Sequence, residues 1–459
     1  MAEEALVRPI AALAQELAAG KTTSRKLVEA ALARIADAGG EGGRVFTKVH
    51  AQGALLAADA SDRLRKEGVV PSPLAGLPVS IKDLFDIAGD VTTAGSKVLR
   101  DAAPATADAV AVARLRAGGA VVIGRSNMTE FAFSGIGINP HYGTPANPYD
   151  RDRRRIPGGS SSGAAVSVAD GMAAFALGTD TGGSVRIPAA LCGIAGFKPT
   201  RARVPLAGAF PLSTTLDSVG PLAPTVACCA TVFQVLAGEP PRALDAAALA
   251  GLRLGVPKNT MLEDLDIEVM QAFDSAIQRL SRRGGKIVEL AVPEFDEAAK
   301  ANVGGGISPP EAYVVHRKWI EREQEIDPRV LERILRGGFV LAADYIELLA
   351  TRNRLVGRFT RANYDIDVLV MPTVPRIAPP IEGLERSAET FRLANGNMLR
   401  NTSLINFLDG CALTLPIHAP REAPVGLMVV GFSGEDERVL SAGLAIETAL
   451  AYQGPVLVQ

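Results

Sequence analysis

Residues 157–200, PGGSSSGAAVSVADGMAAFALGTDTGGSVRIPAALCGIAGFKPT, contain two glycine-serine turns, Gly158-Gly159-Ser160-Ser161-Ser162-Gly163 and Thr179-Asp180-Thr181-Gly182-Gly183-Ser184. Each turn brings bare backbone N–H groups and a hydroxyl to one place, because glycine permits tight backbone and close approach. A serine hydroxyl is a poor nucleophile until a base takes its proton, and the usual base is a histidine held by an acid. The histidines do not fit that role: His141 lies in a proline-rich loop, and His418 follows a strand that ends in proline. His316, beside Arg317 and Lys318, is expected to be a solvated helix residue. A lysine can replace histidine if burial and neighbours leave it neutral near pH 7. Lys82 ends the strand-like run Val79-Ser80-Ile81-Lys82. One strand-end lysine and two separated glycine-serine turns are what a Ser-Ser-Lys relay requires: a lysine base, one serine as proton bridge and a second as nucleophile.

Composition removes several other chemistries. The 48 basic and 50 acidic residues leave a formal charge of −2, which offers no electrostatic footprint for nucleic acid. Cys192, Cys228, Cys229 and Cys411 show no C-x-x-C spacing, so neither a zinc site nor a disulfide framework is indicated, and no metal or cofactor is expected. The long apolar runs are broken by Asp170 and Asp409, so no membrane span is expected. The N-terminus opens with acids and has no signal-peptide pattern, so a cytoplasmic protein is expected. Hydrophobic residues make up 47% of the chain, enough for a large core.

The elements that must position these residues alternate between helix and strand. Helices are expected within 5–37, at 52–68 and from about 108 to the Gly118-Gly119 stop, with strands at 79–83 and 120–124. Residues 127–150 read as a long irregular loop, and a loop of that length inside a compact domain is often functional. The apolar stretch between the two glycine-serine turns reads as a buried helix. Further strands are expected at 252–257, 286–290, 367–372, 411–416 and 425–430, with helices at 264–284 and 435–452. Residues 293–364 are expected to form a peripheral helical cap. Strands collected from so much of the chain imply an α/β fold with one large mixed sheet.

Three segments together carry a family resemblance: Gly158 to Gly163, Gly178 to Ala189, and Gly196 to Thr200. They resemble the G-G-S-S-[GS]-G, G-T-D-x-G-G-S-[IV]-R-x-P-[AS] and G-[FL]-K-P-T runs of the amidase signature family, whose members include amidases and the A subunits of tRNA amidotransferases. Ser80 to Asp83, Gly124 to Phe131 and Pro424 to Gly431 extend the likeness. The resemblance implies a single domain over 1–459, with a large mixed β-sheet covered by helices on both faces. It further implies Lys82 as base, Ser160 in a cis peptide as bridge and Ser184 as nucleophile. The backbone N–H groups of Thr181, Gly182, Gly183 and Ser184 would then receive the oxyanion, with Asp180 and Arg186 bracing the turn.

For the substrate pocket the resemblance points to Met128, Phe131, Phe133, Gly135 and Ile136, hence to an apolar or small neutral acyl group. The implied reaction is hydrolysis of a small-molecule carboxylic amide to acid plus ammonia or amine. One alternative is the glutaminase component of a tRNA-dependent amidotransferase, in which an arginine near Arg354 and an acid near residue 400 would hold an amino-acid head group. Arg354 is therefore a candidate substrate residue, but the acid is replaced by Leu399-Arg400. Another is a non-catalytic binding protein with the same fold. The sequence leaves a homodimer open.

Overall fold

The computed structural model describes residues 6–362 and 364–450. Its frame is an eleven-stranded sheet. In chain order the strands are β1 (Phe46–Val49), β2 (Pro78–Lys82), β3 (Val121–Ser126), β4 (Phe175–Thr179), β5 (Ala195–Lys198), β6 (Val219–Ala223), β7 (Arg253–Pro257), β8 (Lys286–Leu290), β9 (Val368–Pro372), β10 (Cys411–Pro416) and β11 (Gly426–Gly431). Across the sheet they run β1-β3-β2-β4-β6-β5-β10-β11-β9-β7-β8. Parallel pairing holds β3-β2-β4 at one side and β9-β7-β8 at the other, and the strands between them are antiparallel.

The central strands read as continuous apolar runs because helices cover both faces of the sheet. One group, Ser162–Ala169 and Arg186–Cys192, packs against β2, β4, β5 and β10; a separate group, Val226–Ala237 and Asp436–Ala449, packs against β5, β6, β10 and β11. The helix Ser162–Ala169 is buried along its whole length. An all-round apolar sequence such as SGAAVSVA suits that position, since no face of it has to meet water.

The expected buried helix between the two turns is in fact two elements. The helix ends at Ala169, the chain turns through Asp170-Gly171, and β4 follows from Phe175. Alanine and glycine hide β4 from a propensity reading, whereas its pairing with β2 and β6 supplies the stabilisation. Strands β1, β5 and β6 likewise lie outside the expected set. The expected helix 435–452 is observed as Asp436–Ala449, and residues 451 and 452 lie outside the described residues.

Residues 293–364 are largely helical, with helices Pro293–Ala301, Ser308–His316, Pro328–Gly337 and Ala342–Arg361. His316 departs from expectation. It is fully buried, with its ring 4.2 Å from that of Phe131 and 5.8 Å from that of Trp319. Neither ring nitrogen has a hydrogen-bond partner among the described residues. Burial pushes its pKa down to about 3, with Lys318 adding to the effect. Flanking charges on Arg317 and Lys318 suggested solvent, but the opposite face of the helix end is what meets the aromatic cluster. Among the described residues no helix is long and apolar enough to cross a membrane.

Candidate active site

Lys82 and Thr179 are the last residues of the neighbouring parallel strands β2 and β4. The carboxyl ends of parallel strands are where open α/β sheets form ligand crevices, because the chain departs there and leaves a gap. Lys82 is fully buried, and its Nζ donates to Ser160 Oγ at 2.7 Å and to Thr179 Oγ1 at 2.9 Å. Burial disfavours the ammonium and pulls its pKa from 10.5 down to about 7, although Asp180 and Asp217 pull the other way.

The first turn holds Ser160 at the cis peptide Gly159–Ser160. A Cβ on Gly159 would lie 2.6 Å from the backbone nitrogen of Gly137, so no larger residue fits where the turn meets the 127–150 loop. The second turn begins where β4 ends. Its Asp180 and Arg186 are both fully buried and paired, with Nη2 to Oδ1 at 2.9 Å and Nε to Oδ2 at 3.0 Å. Burial alone would raise the Asp180 carboxyl, but the Arg186 guanidinium overrides it and holds the pKa well below the ordinary carboxylate range. Asn406 closes this network, donating to Asp180 Oδ1 at 2.9 Å and accepting from Arg186 Nη2 at 2.6 Å.

Gly183 has φ = +131° and packs so closely that a Cβ would lie 2.2 Å from Thr402 Oγ1. Its N–H donates to Asp180 Oδ1 at 2.8 Å, so this member of the expected oxyanion set is already engaged. No acceptor engages the N–H groups of Thr181, Gly182 or Ser184 among the described residues. Thr402 Oγ1 donates to Gly182 O at 2.6 Å. The Thr181 hydroxyl donates to Asp217 at 2.5 Å, and burial raises the Asp217 carboxyl to about 6 despite that bond.

Ser184, Thr181 and Gly182 open on a cavity of about 350 Å³. Its walls come from Ala132-Phe133-Ser134 in the long loop, from residues 302–336 of the helical segment, and from the helix Ala388–Phe407. The helical segment expected at the periphery is thus one wall of the site.

Several expected pocket residues lie elsewhere. Met128 is fully buried and not part of the cavity lining, and Phe131 stacks with Phe210 and Trp319. Phe131 and Ala132 both take left-handed backbone, with φ of 51° and 59°. Across this reversal Phe131 is packed into the aromatic cluster, while Phe133 and Ser134 line the cavity. Ile136 sits in a separate apolar cluster with Ile187 and Leu191. Gly135 faces the cavity wall from behind, its N–H donating to Asn395 Oδ1 at 2.9 Å. Arg354 is exposed on the helix Ala342–Arg361 and is not among the cavity residues, because the turn of helix it occupies faces outward.

Thr402, Asn406 and Asn395 are site residues that the sequence does not single out. Thr402 and Asn406 stand four apart on one helix face, a spacing that marks a shared contact surface, but polar residues at that spacing are usually solvated. Their burial follows only from the helix docking on the second turn.

A large mixed sheet that sets a buried lysine against the first glycine-serine turn and opens the second on a cavity is the frame of an amidase-type hydrolase. Comparison with known proteins gives the family: residues 26–440 match the model described as Amidase, and the chain belongs to the amidase signature family. It is 38% identical over 408 residues to the 2-amino-5-chloromuconic acid deaminase of Comamonas testosteroni, with 87% of each chain covered. It is 35% identical over 466 residues to the A subunit of the glutamyl-tRNA(Gln) amidotransferase from Chloroflexus aggregans, with 94% of each covered. Among solved structures, one described as an amidase superposes with a TM-score of 0.86 at 33% identity, covering 96% of this chain and 99% of that one.

Proposed function

We propose that this protein hydrolyses a small carboxylic amide to an acid and ammonia or an amine, with Ser184 as nucleophile, Ser160 as proton bridge and Lys82 as base. The observation that carries the reading is the 2.7 Å contact between Ser160 Oγ and a fully buried Lys82 whose pKa lies near 7. When Lys82 is neutral the direction of that contact reverses, and the Ser160 O–H donates to the Nζ lone pair. Ser160 can then accept the Ser184 proton as the Ser184 oxygen attacks the carbonyl carbon.

The tetrahedral intermediate places negative charge on the former carbonyl oxygen. Thr181, Gly182 and Ser184 offer N–H groups without competing acceptors among the described residues, and losing one such donor in a comparable site costs roughly 3 to 4 kcal/mol. Collapse expels the amine, which takes its proton back from Lys82 through Ser160. Water then attacks the acyl-enzyme along the same proton path and releases the acid.

Two other readings are weaker. A glutaminase component is favoured by the 35% identity to a glutamyl-tRNA(Gln) amidotransferase chain, but Arg354 is exposed and outside the cavity. A non-catalytic binding protein would have no use for a neutral buried lysine against a hydroxyl. The test is labelling with a fluorophosphonate together with ammonia release from a panel of simple amides. Wild type should label and turn over, and Ser184→Ala should do neither. A folded wild-type protein that fails both measurements removes the hydrolase reading.

A further inference from the structure

The cavity beside Ser184 is lined by five arginines, Arg329, Arg333, Arg336, Arg392 and Arg400, and by one carboxylate, Glu332. Most of these guanidiniums are already satisfied. Arg329 forms a two-pronged pair with Asp327, with Nε to Oδ1 and Nη2 to Oδ2 both at 2.9 Å. Arg336 and Arg392 share Glu332, and Arg400 donates to the Glu263 carbonyl at 2.7 Å.

Arg333 is different. It has no ion pair and no side-chain hydrogen bond among the described residues, and its Nη1 is shut off from solvent without an acceptor. Its guanidinium lies 4.4 Å from the centroid of the Phe133 ring, a placement that fixes the plane of the cation but leaves its N–H edge unused. Burial, with Arg336 nearby, lowers its pKa to about 10 against the opposing pull of Glu332, so it is still a cation at neutral pH. Its buried Nη1 without an acceptor is a cost that an arriving anion would relieve.

A second donor points into the same space. Asn395 Oδ1 accepts from Ser134 Oγ at 3.0 Å and from Gly135 N at 2.9 Å, which fixes the orientation of the amide. Its Nδ2 has no acceptor among the described residues, and Asn395 lines the cavity. Two unused donors, one of them charged, thus share a volume of about 350 Å³ with the Ser184 hydroxyl.

We propose that the substrate is an amide whose non-reacting end carries a carboxylate, received by Arg333 and the Asn395 amide. This rests on the amidase reading of Ser184 and narrows it to monoamides of dicarboxylic acids. The planar fork of Arg333 matches a carboxylate, and Phe133 holds it in register. Of the residues behind the expected neutral acyl group, Met128, Phe131, Gly135 and Ile136 do not line the cavity, and Phe133, which does, lies under the Arg333 guanidinium.

The test compares monoamides of linear dicarboxylic acids, with one to four methylenes between the carbonyls, against the matching neutral diamides. Wild type should favour the monoamide acid at its best chain length by on the order of 100-fold in kcat/KM, the discrimination of one charged hydrogen-bonded contact. In Arg333→Gln the ratio should fall to near one, mostly through KM, and Arg333→Lys should keep part of it. The lysine variant carries the same measurement should the glutamine variant not fold. Equal turnover of acid and diamide at every length, or a ratio that survives Arg333→Gln, overturns the proposal and leaves the amidase reading intact. If no amide is hydrolysed, calorimetric binding of the monoamide acids to Ser184→Ala separates the two ideas. Binding that is lost on adding Arg333→Gln supports the carboxylate site and removes the amidase reading; binding indifferent to Arg333 overturns the carboxylate site.

Discussion

With Lys82 as the proposed base, amide hydrolysis should rise with pH through an apparent pKa of about 7, because only the neutral amine can take a proton. Moving that lysine from 10.5 to about 7 is worth roughly 5 kcal/mol in favour of the neutral amine. At pH 7 it raises the share of free base from about one molecule in three thousand to about half. Burial is the cause, and the carboxylates Asp180 and Asp217 oppose it. Asp217, with its own pKa near 6, is mostly charged at pH 7. Asp217→Asn removes an anion that stabilises the ammonium, so the acidic limb should move to lower pH. The assay is kcat/KM for ammonia release from pH 5 to 10, with the rate of fluorophosphonate labelling of Ser184 followed over the same range. A limb that rises only near pH 10, or one that moves to higher pH in Asp217→Asn, would refute the reasoning.

Two further changes test the supports of the site. Asp180→Asn leaves Arg186 charged and buried without its anion and weakens the anchor of Gly183, so unfolding in urea should show a loss of about 3 to 5 kcal/mol; a loss below about 1 kcal/mol would mean that the pair is not buried as described. For His316 the folded pKa is depressed from 6.5 to about 3, so below pH 6.5 the unfolded chain takes up a proton that the folded chain refuses. Stability should therefore fall by about 1.4 kcal/mol per pH unit as pH drops from about 6 toward 3. His316→Phe should lack this dependence, so the stability difference between the two proteins should itself carry the slope, and parallel stability curves would contradict it.

The chemistry was legible where residue type alone limits the options. Glycine at 183 answers to a backbone that no side chain can adopt or fit. Strands such as β9, β10 and β11 announced themselves as apolar runs closed by proline or glycine. Strand β4 did not, because Phe175 to Thr179 is stabilised by its neighbours and has little strand preference of its own. The long loop from Asn127 was marked as functional by its length, but which of its side chains reach the cavity depends on the left-handed reversal at Phe131-Ala132.

By itself the sequence supplied a lysine at a strand end, two glycine-serine turns and a family pattern that relates them. It also limited the fold to a mixed sheet between helices, since the periodicities of both elements are local properties. What the tertiary structure decided is everything that depends on a neighbour distant in the chain. Lys82 is a credible base only because β2 and β4 end side by side and exclude water from it. Thr402 and Asn406 matter only because their helix docks on the second turn. Arg333 and Arg354 are alike as sequence, two arginines on charged helices, and are told apart only by packing: one is folded against Phe133 beside the Ser184 cavity, the other faces water. Charge is written in the sequence, but what it meets is set by the desolvation and contacts that folding imposes.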